Sequence, residues 1–189
     1  MPLPRRNAVP ESDRGWIRDL SEAERLVVWS IRRWASGREH WPLVWREHGK
    51  LLGAYHGHAT LAALVRYLGA ICKDAGRTIG HHAACCPCVG RDEALMLSLA
   101  AAAHAGHHGL ATAHAAALLS SDGMILADRT RAVTAAGAGL AAAMEAADWP
   151  LAYHGKWPLR DAPCAGSRDA VPAAAPGLPA NSVPRFPRA

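Results

Sequence analysis

Three thiols and two imidazoles are concentrated in one short segment near the middle of the chain: His81, His82, Cys85, Cys86 and Cys88. Zinc prefers four such donors in a tetrahedral array, and local pairs spaced by two to four residues allow one turn of backbone to present two of them. Cys85 and Cys88 have that spacing. His81 precedes Cys85 by four positions and His82 precedes Cys86 by the same interval, so two overlapping registers each provide three local donors.

A fourth donor would have to come from another part of the fold. His56 or His58 precede the helix that leads into the cluster. His104 and His108 are four residues apart and share a helix face if their helix continues past Gly106. A remote fourth ligand would tie helices together and make metal binding part of the folding free energy.

The sequence favours a closed zinc site with a structural or regulatory role over an open catalytic one. A site with three protein ligands leaves the fourth position to water, as in catalytic zinc centres. Such a centre needs a nearby carboxylate as a base, and Asp92 and Glu93 are the acidic residues close to the cluster. We therefore expect a binding or regulatory function rather than turnover, and assign no catalytic residue.

The spacing of His81, Cys85 and Cys88 resembles the His-x3-Cys-x2-Cys pattern of zinc-binding anti-sigma domains. His56 lies about where those helical domains place a further ligand on an earlier helix. The resemblance implies a cytosolic helical module with zinc bound by His56, His81, Cys85 and Cys88. It also implies a protein partner, a sigma factor, whose sequestration could be under redox control.

Two further chemistries remain open for the same thiols. A cysteine at a helix N-terminus beside imidazole becomes a reactive thiolate, and Cys88 directly precedes a predicted helix, so Cys85 and Cys88 could form a reversible disulfide. Iron in the form of an iron–sulfur cluster is the third possibility. It generally requires four thiolates, so Cys72 or Cys164 would have to join the cluster.

The elements that position this cluster are predicted to be helices, because alanine supplies much of the apolar content and favours helix more than any other residue. Half of the 189 residues are hydrophobic by type, with seven tryptophans and one phenylalanine. We predict an all-α, single-domain bundle of five or six helices, with the Cys/His segment as an irregular loop between the third and fourth. The predicted helices run from Ser21 to Gly37, from Trp41 past Leu52, from His58 or Thr60 to Gly76, from Arg91 or Asp92 to Gly106, from Leu110 to Leu119, and from Thr130 to Trp149.

Three details of these helices are specific enough to test. Ser21 and Glu24 form a capping-box signature for the first helix. The second helix is predicted to turn Val44, Trp45, His48, Leu51 and Leu52 inward, and Cys72 falls on the apolar stripe of the third. Small residues such as Gly137 on the last helix predict a close approach to the alanine-rich fourth helix.

The ends of the chain have a different composition from its body. Residues 1–15 are predicted to be a mobile lead-in, residues 16–160 the helical domain, and residues 161–189 a disordered tail rich in proline and alanine. The N-terminus leads into polar residues rather than an apolar signal region, and five cysteines is an odd number, so we expect a reduced, cytoplasmic protein.

The charge pattern points to no particular macromolecular partner. The formal net charge is +5, yet no dense Lys/Arg run or basic–aromatic interleaving predicts nucleic-acid binding. The segment between Glu93 and Asp122 has no charged Asp, Glu, Lys or Arg. It contains four histidines and two central glycines, however, so we expect two short helices there rather than a membrane span.

Overall fold

The computed structural model describes residues 15–120 and 127–152. In these ranges the chain forms five α-helices and no strand, which confirms the predicted all-α bundle. The helices are α1 (Glu22–Ser36), α2 (Trp41–Asp74), α3 (Arg91–His104), α4 (His108–Leu119) and α5 (Ala127–Glu145). Residues 1–14 of the predicted lead-in and the whole predicted tail, 161–189, lie outside the described residues.

Helix α1 begins at the predicted capping box. The Ser21 hydroxyl accepts a hydrogen bond from the Glu24 amide at 3.2 Å, and the Glu24 carboxylate accepts one from the Ser21 amide at 2.8 Å. Two amide donors that helix geometry leaves without partners are thereby satisfied. The helix ends before Gly37, as predicted, and its buried face packs Val28 and Ile31 into the core.

The second and third predicted helices are two arms of one long kinked helix, α2. The break is at Gly53, whose φ of 77° and ψ of 162° are outside the helical region. A positive φ is readily adopted by glycine because it has no Cβ. The two arms approach each other so closely that a Cβ on Gly57 would lie 2.7 Å from the His48 carbonyl oxygen. This backbone contact fixes the angle between the arms.

The kink explains why the prediction for the first arm of α2 was partly wrong. Val44, His48 and Leu52, which are spaced four residues apart, are buried as predicted. Trp45 and Leu51 were also expected to face inward, yet their exposed fractions are 38% and 40%. The arm packs through a single narrow stripe, because the chain turns at Gly53 and leaves both neighbouring faces open to solvent.

A buried polar network connects α1 with both arms of α2. His48 lies between the Ser30 hydroxyl, 2.9 Å from its Nε2, and the Thr60 hydroxyl, 3.0 Å from its Nδ1. Because Thr60 donates its own hydrogen to the Gly57 carbonyl at 3.1 Å, its oxygen accepts from Nδ1–H. Nε2 then accepts from Ser30. The imidazole is neutral in this arrangement, and its burial lowers the pKa of His48 to about 4.

Helix α3 is the centre of the bundle, with every residue from 92 to 103 buried. The predicted close approach of the last helix is confirmed: a Cβ on Gly137 of α5 would lie 2.5 Å from the Leu99 side chain. Tyr67 of α2 packs at the same point and donates a hydrogen bond to the Met96 carbonyl at 2.9 Å. Since the core surrounds α3, the N-terminus of this helix is a rigid base for the loop that precedes it.

No helix in the described parts of the chain combines the length and the apolarity needed to cross a bilayer.

Candidate functional site

Cys85, Cys86 and Cys88 lie in the connection between α2 and α3. We call residues 77–90 of this connection the Cys loop. One side of this loop pairs with the segment that precedes α1. The Ile17 amide donates to the Pro87 carbonyl at 2.8 Å, and the Val89 amide donates to the Gly15 carbonyl at the same distance. Trp16 and Cys88 form an isolated antiparallel bridge between these bonds. The end of the Cys loop is therefore extended and fixed at its backbone.

The Cys loop is organised around a buried ion pair between α1 and α3. Arg32 is 2% exposed and Glu93 is fully buried. The guanidinium binds the carboxylate in a bidentate manner, with Nε 2.7 Å from Oε1 and one terminal nitrogen 2.8 Å from Oε2. Charge-assisted bidentate pairs are strong, but a buried one is stable only when its remaining donors and acceptors are satisfied.

The remaining donors of Arg32 are used on the loop backbone. They reach the carbonyl oxygens of Cys86 at 2.7 Å, Cys88 at 2.5 Å and Ala83 at 3.3 Å. Glu93 in turn accepts hydrogen bonds from backbone amides on either side of the cysteines, from the His82 amide at 3.1 Å and from the Gly90 amide at 2.8 Å. One ion pair thus fixes the backbone conformation around all three thiols.

A second ion pair fixes the start of the Cys loop. Asp92 accepts two hydrogen bonds from Arg77, at 2.6 and 2.8 Å, and one from the Gly80 amide at 2.6 Å. Asp92 and Glu93 are the carboxylates that the sequence offered as a base for an open zinc site. Both side chains are engaged by arginines, so this arrangement supports a structural role for them rather than proton transfer.

The structure places the predicted thiols at different depths. Cys85 is exposed, whereas Cys86 and Cys88 are half-buried and lie near one another. Cys72, which the periodicity of α2 placed on its apolar stripe, is exposed near the end of that helix. The stripe continues through Ile71 instead, which is 1% exposed.

The predicted histidine ligands are distributed over several elements. His56 lies on α2, where its ring contacts Tyr55 edge to face at 5.2 Å. His104 ends α3 and forms a 2.5 Å contact with Glu145 of α5. His108 begins α4, and the helix break around Gly106, with a φ of 77°, means that His104 and His108 do not share a helix face. The condition for that pair, a helix that continues past Gly106, is therefore not met, and the predicted end of the helix at Gly106 agrees with the structure.

Within the Cys loop, His81 is half-buried, and His82 packs its imidazole against Gly90 at the start of α3. The Nδ1 atom of His82 is buried and makes no hydrogen bond. Burial lowers the pKa of His82; the charge of Glu93 opposes this shift and the charge of Arg32 adds to it. A neutral imidazole with a free nitrogen is suited to metal ligation. Yet no three His, Cys, Asp or Glu side chains in residues 15–120 and 127–152 are grouped closely enough to hold an ion.

A cleft of about 450 Å³ opens between α1 and the Cys loop. Cys85 and Cys86 contribute to one wall, and the tryptophan rings of Trp16 and Trp29 contribute to the others. Arg32 of α1 also lines the cleft. The thiols therefore line a concave surface whose shape depends on the Arg32–Glu93 pair.

Sequence reasoning missed Arg32, the residue that organises the site. Arg32 precedes another arginine, Arg33, and two adjacent arginines are typical of the exposed, polar face of a helix. Arg32 nevertheless follows Val28 by four positions and so continues the buried face of α1. That spacing was the available signal, together with Asp92 and Glu93 at the start of α3, which the sequence offered only as a base for an open zinc site.

No family model, no curated protein and no solved structure matches this chain.

Proposed function

We propose that this protein is a cytoplasmic binding or regulatory protein in which Cys86 and Cys88 form a reversible dithiol switch. The observation that carries the proposal is the double contact of Arg32, which fixes the carbonyls of both residues at 2.7 and 2.5 Å while their side chains lie near one another. Cys86 also lines the cleft. A change in its bonding would therefore alter the wall of the cleft.

The switch requires an external oxidant, and a small-molecule disulfide is the class proposed, because protein thiolates exchange with it directly. The thiolate of one cysteine attacks a sulfur of that disulfide and releases the first small thiol. The second cysteine then attacks the mixed disulfide and releases the second small thiol. The protein gains one disulfide bond and loses two protons and two electrons, and the small disulfide is reduced to two thiols.

Oxidation followed by peptide mapping tests the proposal. Cleavage after Arg77 and Arg91 gives one peptide, 78–91, that contains all three loop cysteines. After treatment with a small disulfide, we expect this peptide to accept one alkyl label in place of three. The Cys85→Ser variant should still form the bond, whereas Cys86→Ser and Cys88→Ser should not. Equal bond formation in Cys86→Ser and the unaltered chain would contradict the proposal.

Metal binding at the same loop is the second candidate, supported by the near pair of thiols and the free buried nitrogen of His82. The described residues present fewer grouped donors than the four that structural zinc sites use. Zinc binding by His81, His82, Cys85, Cys86 and Cys88 therefore stays a prediction, as do the remote ligands His56, His104 and His108.

Elemental analysis separates these possibilities. One zinc per chain, lost in Cys86→Ser, would support the metal site, and a brown colour would support an iron–sulfur cluster. Co-purification with a sigma factor that ends when zinc is removed would support the anti-sigma resemblance. Absence of metal together with a reversible Cys86–Cys88 disulfide would support the dithiol switch alone.

A further inference from the structure

We infer that the cleft between α1 and the Cys loop binds a small organic anion with an apolar, ring-containing body. Its apolar surface comes from Trp16 and Ile17 on one side and from Val28 and Trp29 of α1 on the other. Tryptophan rings provide large, flat contact surfaces at a low cost in side-chain entropy. A ligand with an aromatic or alicyclic body would match these walls.

Among the described residues, the charged side chains that line the cleft are all positive. Arg18, Arg25 and Arg32 line it, and no acidic residue of the described chain is among its lining residues. The charge of Arg32 is compensated by Glu93 at 2.7 Å. Within residues 15–120 and 127–152, the ion-pair partners of Arg18 and Arg25 are exposed carboxylates at 3.9 and 3.7 Å. Such surface pairs contribute little, so both guanidinium groups can turn to a carboxylate, sulfonate or phosphate on a ligand.

The walls are fixed before a ligand arrives. The bond from Ile17 to Pro87 and the contacts of Arg32 with the loop carbonyls hold the two sides at a constant separation. Arg18 lies over the Trp16 ring at 5.0 Å, so its cation is already positioned beside an aromatic wall. The volume of about 450 Å³ is within the range of small-molecule sites. These features belong to the reduced protein, so the inference does not depend on the dithiol switch.

Fluorescence titration of the reduced full-length chain with anilinonaphthalene sulfonate, an aromatic anion, tests the inference. We expect saturable binding of one probe per chain that weakens as salt is added. The double variant Arg18→Gln, Arg25→Gln should bind about tenfold more weakly, because it loses charge-assisted hydrogen bonds. Arg131→Gln is the matched control: it removes an exposed arginine of α5 that pairs with Asp128 at 2.9 Å, and its affinity should be unchanged.

Alkylation of individual cysteines locates the bound probe. Bound probe should slow labelling of Cys85 and leave that of Cys72 on α2 unchanged, because Cys85 lines the cleft and Cys72 does not. Unaltered affinity in the double arginine variant, or no protection of Cys85, would overturn the inference. In that case the probe binds elsewhere, for example around the exposed Tyr55. Protection of Cys85 by self-association without probe would assign the cleft to a second copy and overturn it as well.

Discussion

Replacing Arg32 by methionine tests the central feature of the structure, the ion pair that organises the Cys loop. The change keeps much of the apolar stem but removes the partner of the fully buried Glu93. Loss of one member of a buried pair typically costs 3–5 kcal/mol, so we expect the free energy of unfolding to fall by about 4 kcal/mol. A domain of this size is stable by about 5–15 kcal/mol in total. The variant should therefore fold, with a clearly lower urea midpoint.

The loop should respond separately from global stability. Arg32 donates to the carbonyls of Cys86 and Cys88, and these oxygens lose their donor in Arg32→Met. We expect alkylation of both thiols in native buffer to accelerate about tenfold, since the loop opens locally at lower free energy. Urea unfolding followed by circular dichroism and peptide mapping of residues 78–91 give the two readouts.

Two further variants separate charge burial from loop fixation. Adding Glu93→Gln to Arg32→Met removes the unpaired buried charge and should restore about 2 kcal/mol, while the thiols stay rapidly alkylated. Arg33→Met removes the neighbouring guanidinium, which lies over Trp29 at 5.8 Å, and should cost less than about 1 kcal/mol. The reasoning is refuted if Arg32→Met has the stability and alkylation rates of the unaltered chain. It is also refuted if Arg33→Met loses as much stability, and is alkylated as fast, as Arg32→Met.

The other predictions concern the helices that support the loop. Because burial lowers the pKa of His48 to about 4, against 6.5 in the unfolded chain, its contribution to stability is full above pH 6.5. This contribution, about 3 kcal/mol of the free energy of unfolding, should be lost as the pH falls from 6.5 towards 4. Urea titrations at pH 6.5 and about pH 4 should show the loss in the unaltered chain but not in His48→Gln. Gly57→Ala should destabilise by about 1–3 kcal/mol, since its Cβ would lie 2.7 Å from backbone atoms that cannot rotate away. Gly137→Ala should lower the free energy of unfolding by less than Gly57→Ala does, because the Leu99 side chain that the new methyl group meets can adjust. A lower thermal midpoint for Gly137→Ala than for Gly57→Ala would contradict this order. Ser21→Ala should cost about 1 kcal/mol through the lost cap, measured by thermal unfolding against the exposed control Ser36→Ala.

Local features of this fold were readable from the sequence, and features that depend on distant partners were not. The capping box at Ser21 and the end of α1 at Gly37 were predicted because neighbouring residues decide them. A division at this point was also predicted, as the gap between the second and third helices, and Gly53 lies within that gap. The close approach of the two arms was not predicted, because the contact that fixes the bend joins Gly57 to the backbone at His48. Periodicity describes a helix but contains no information on where two arms cross.

The same distinction applies to the site. The thiols and their loop were evident from residue types, whereas the Arg32–Glu93 pair joins residues 61 positions apart and has no spacing signature. The remote histidines were assigned as possible ligands on the assumption that helices would bring them to the loop. Instead, His104 is directed to Glu145, and Gly106 separates it from His108.

The energetics of the Arg32–Glu93 pair bear on the proposal that the loop contains a dithiol switch. Apolar residues of similar volume often stabilise a core as well as a buried ion pair does, so stability alone does not account for a guanidinium at this position. An apolar side chain, however, could not donate to three carbonyl oxygens at once. What the guanidinium provides is one defined backbone conformation for Cys86 and Cys88, beside a cleft whose other walls are tryptophans. A loop that only connected α2 to α3 would need no such definition, whereas a thiol pair that must meet a reagent or a ligand in fixed geometry would.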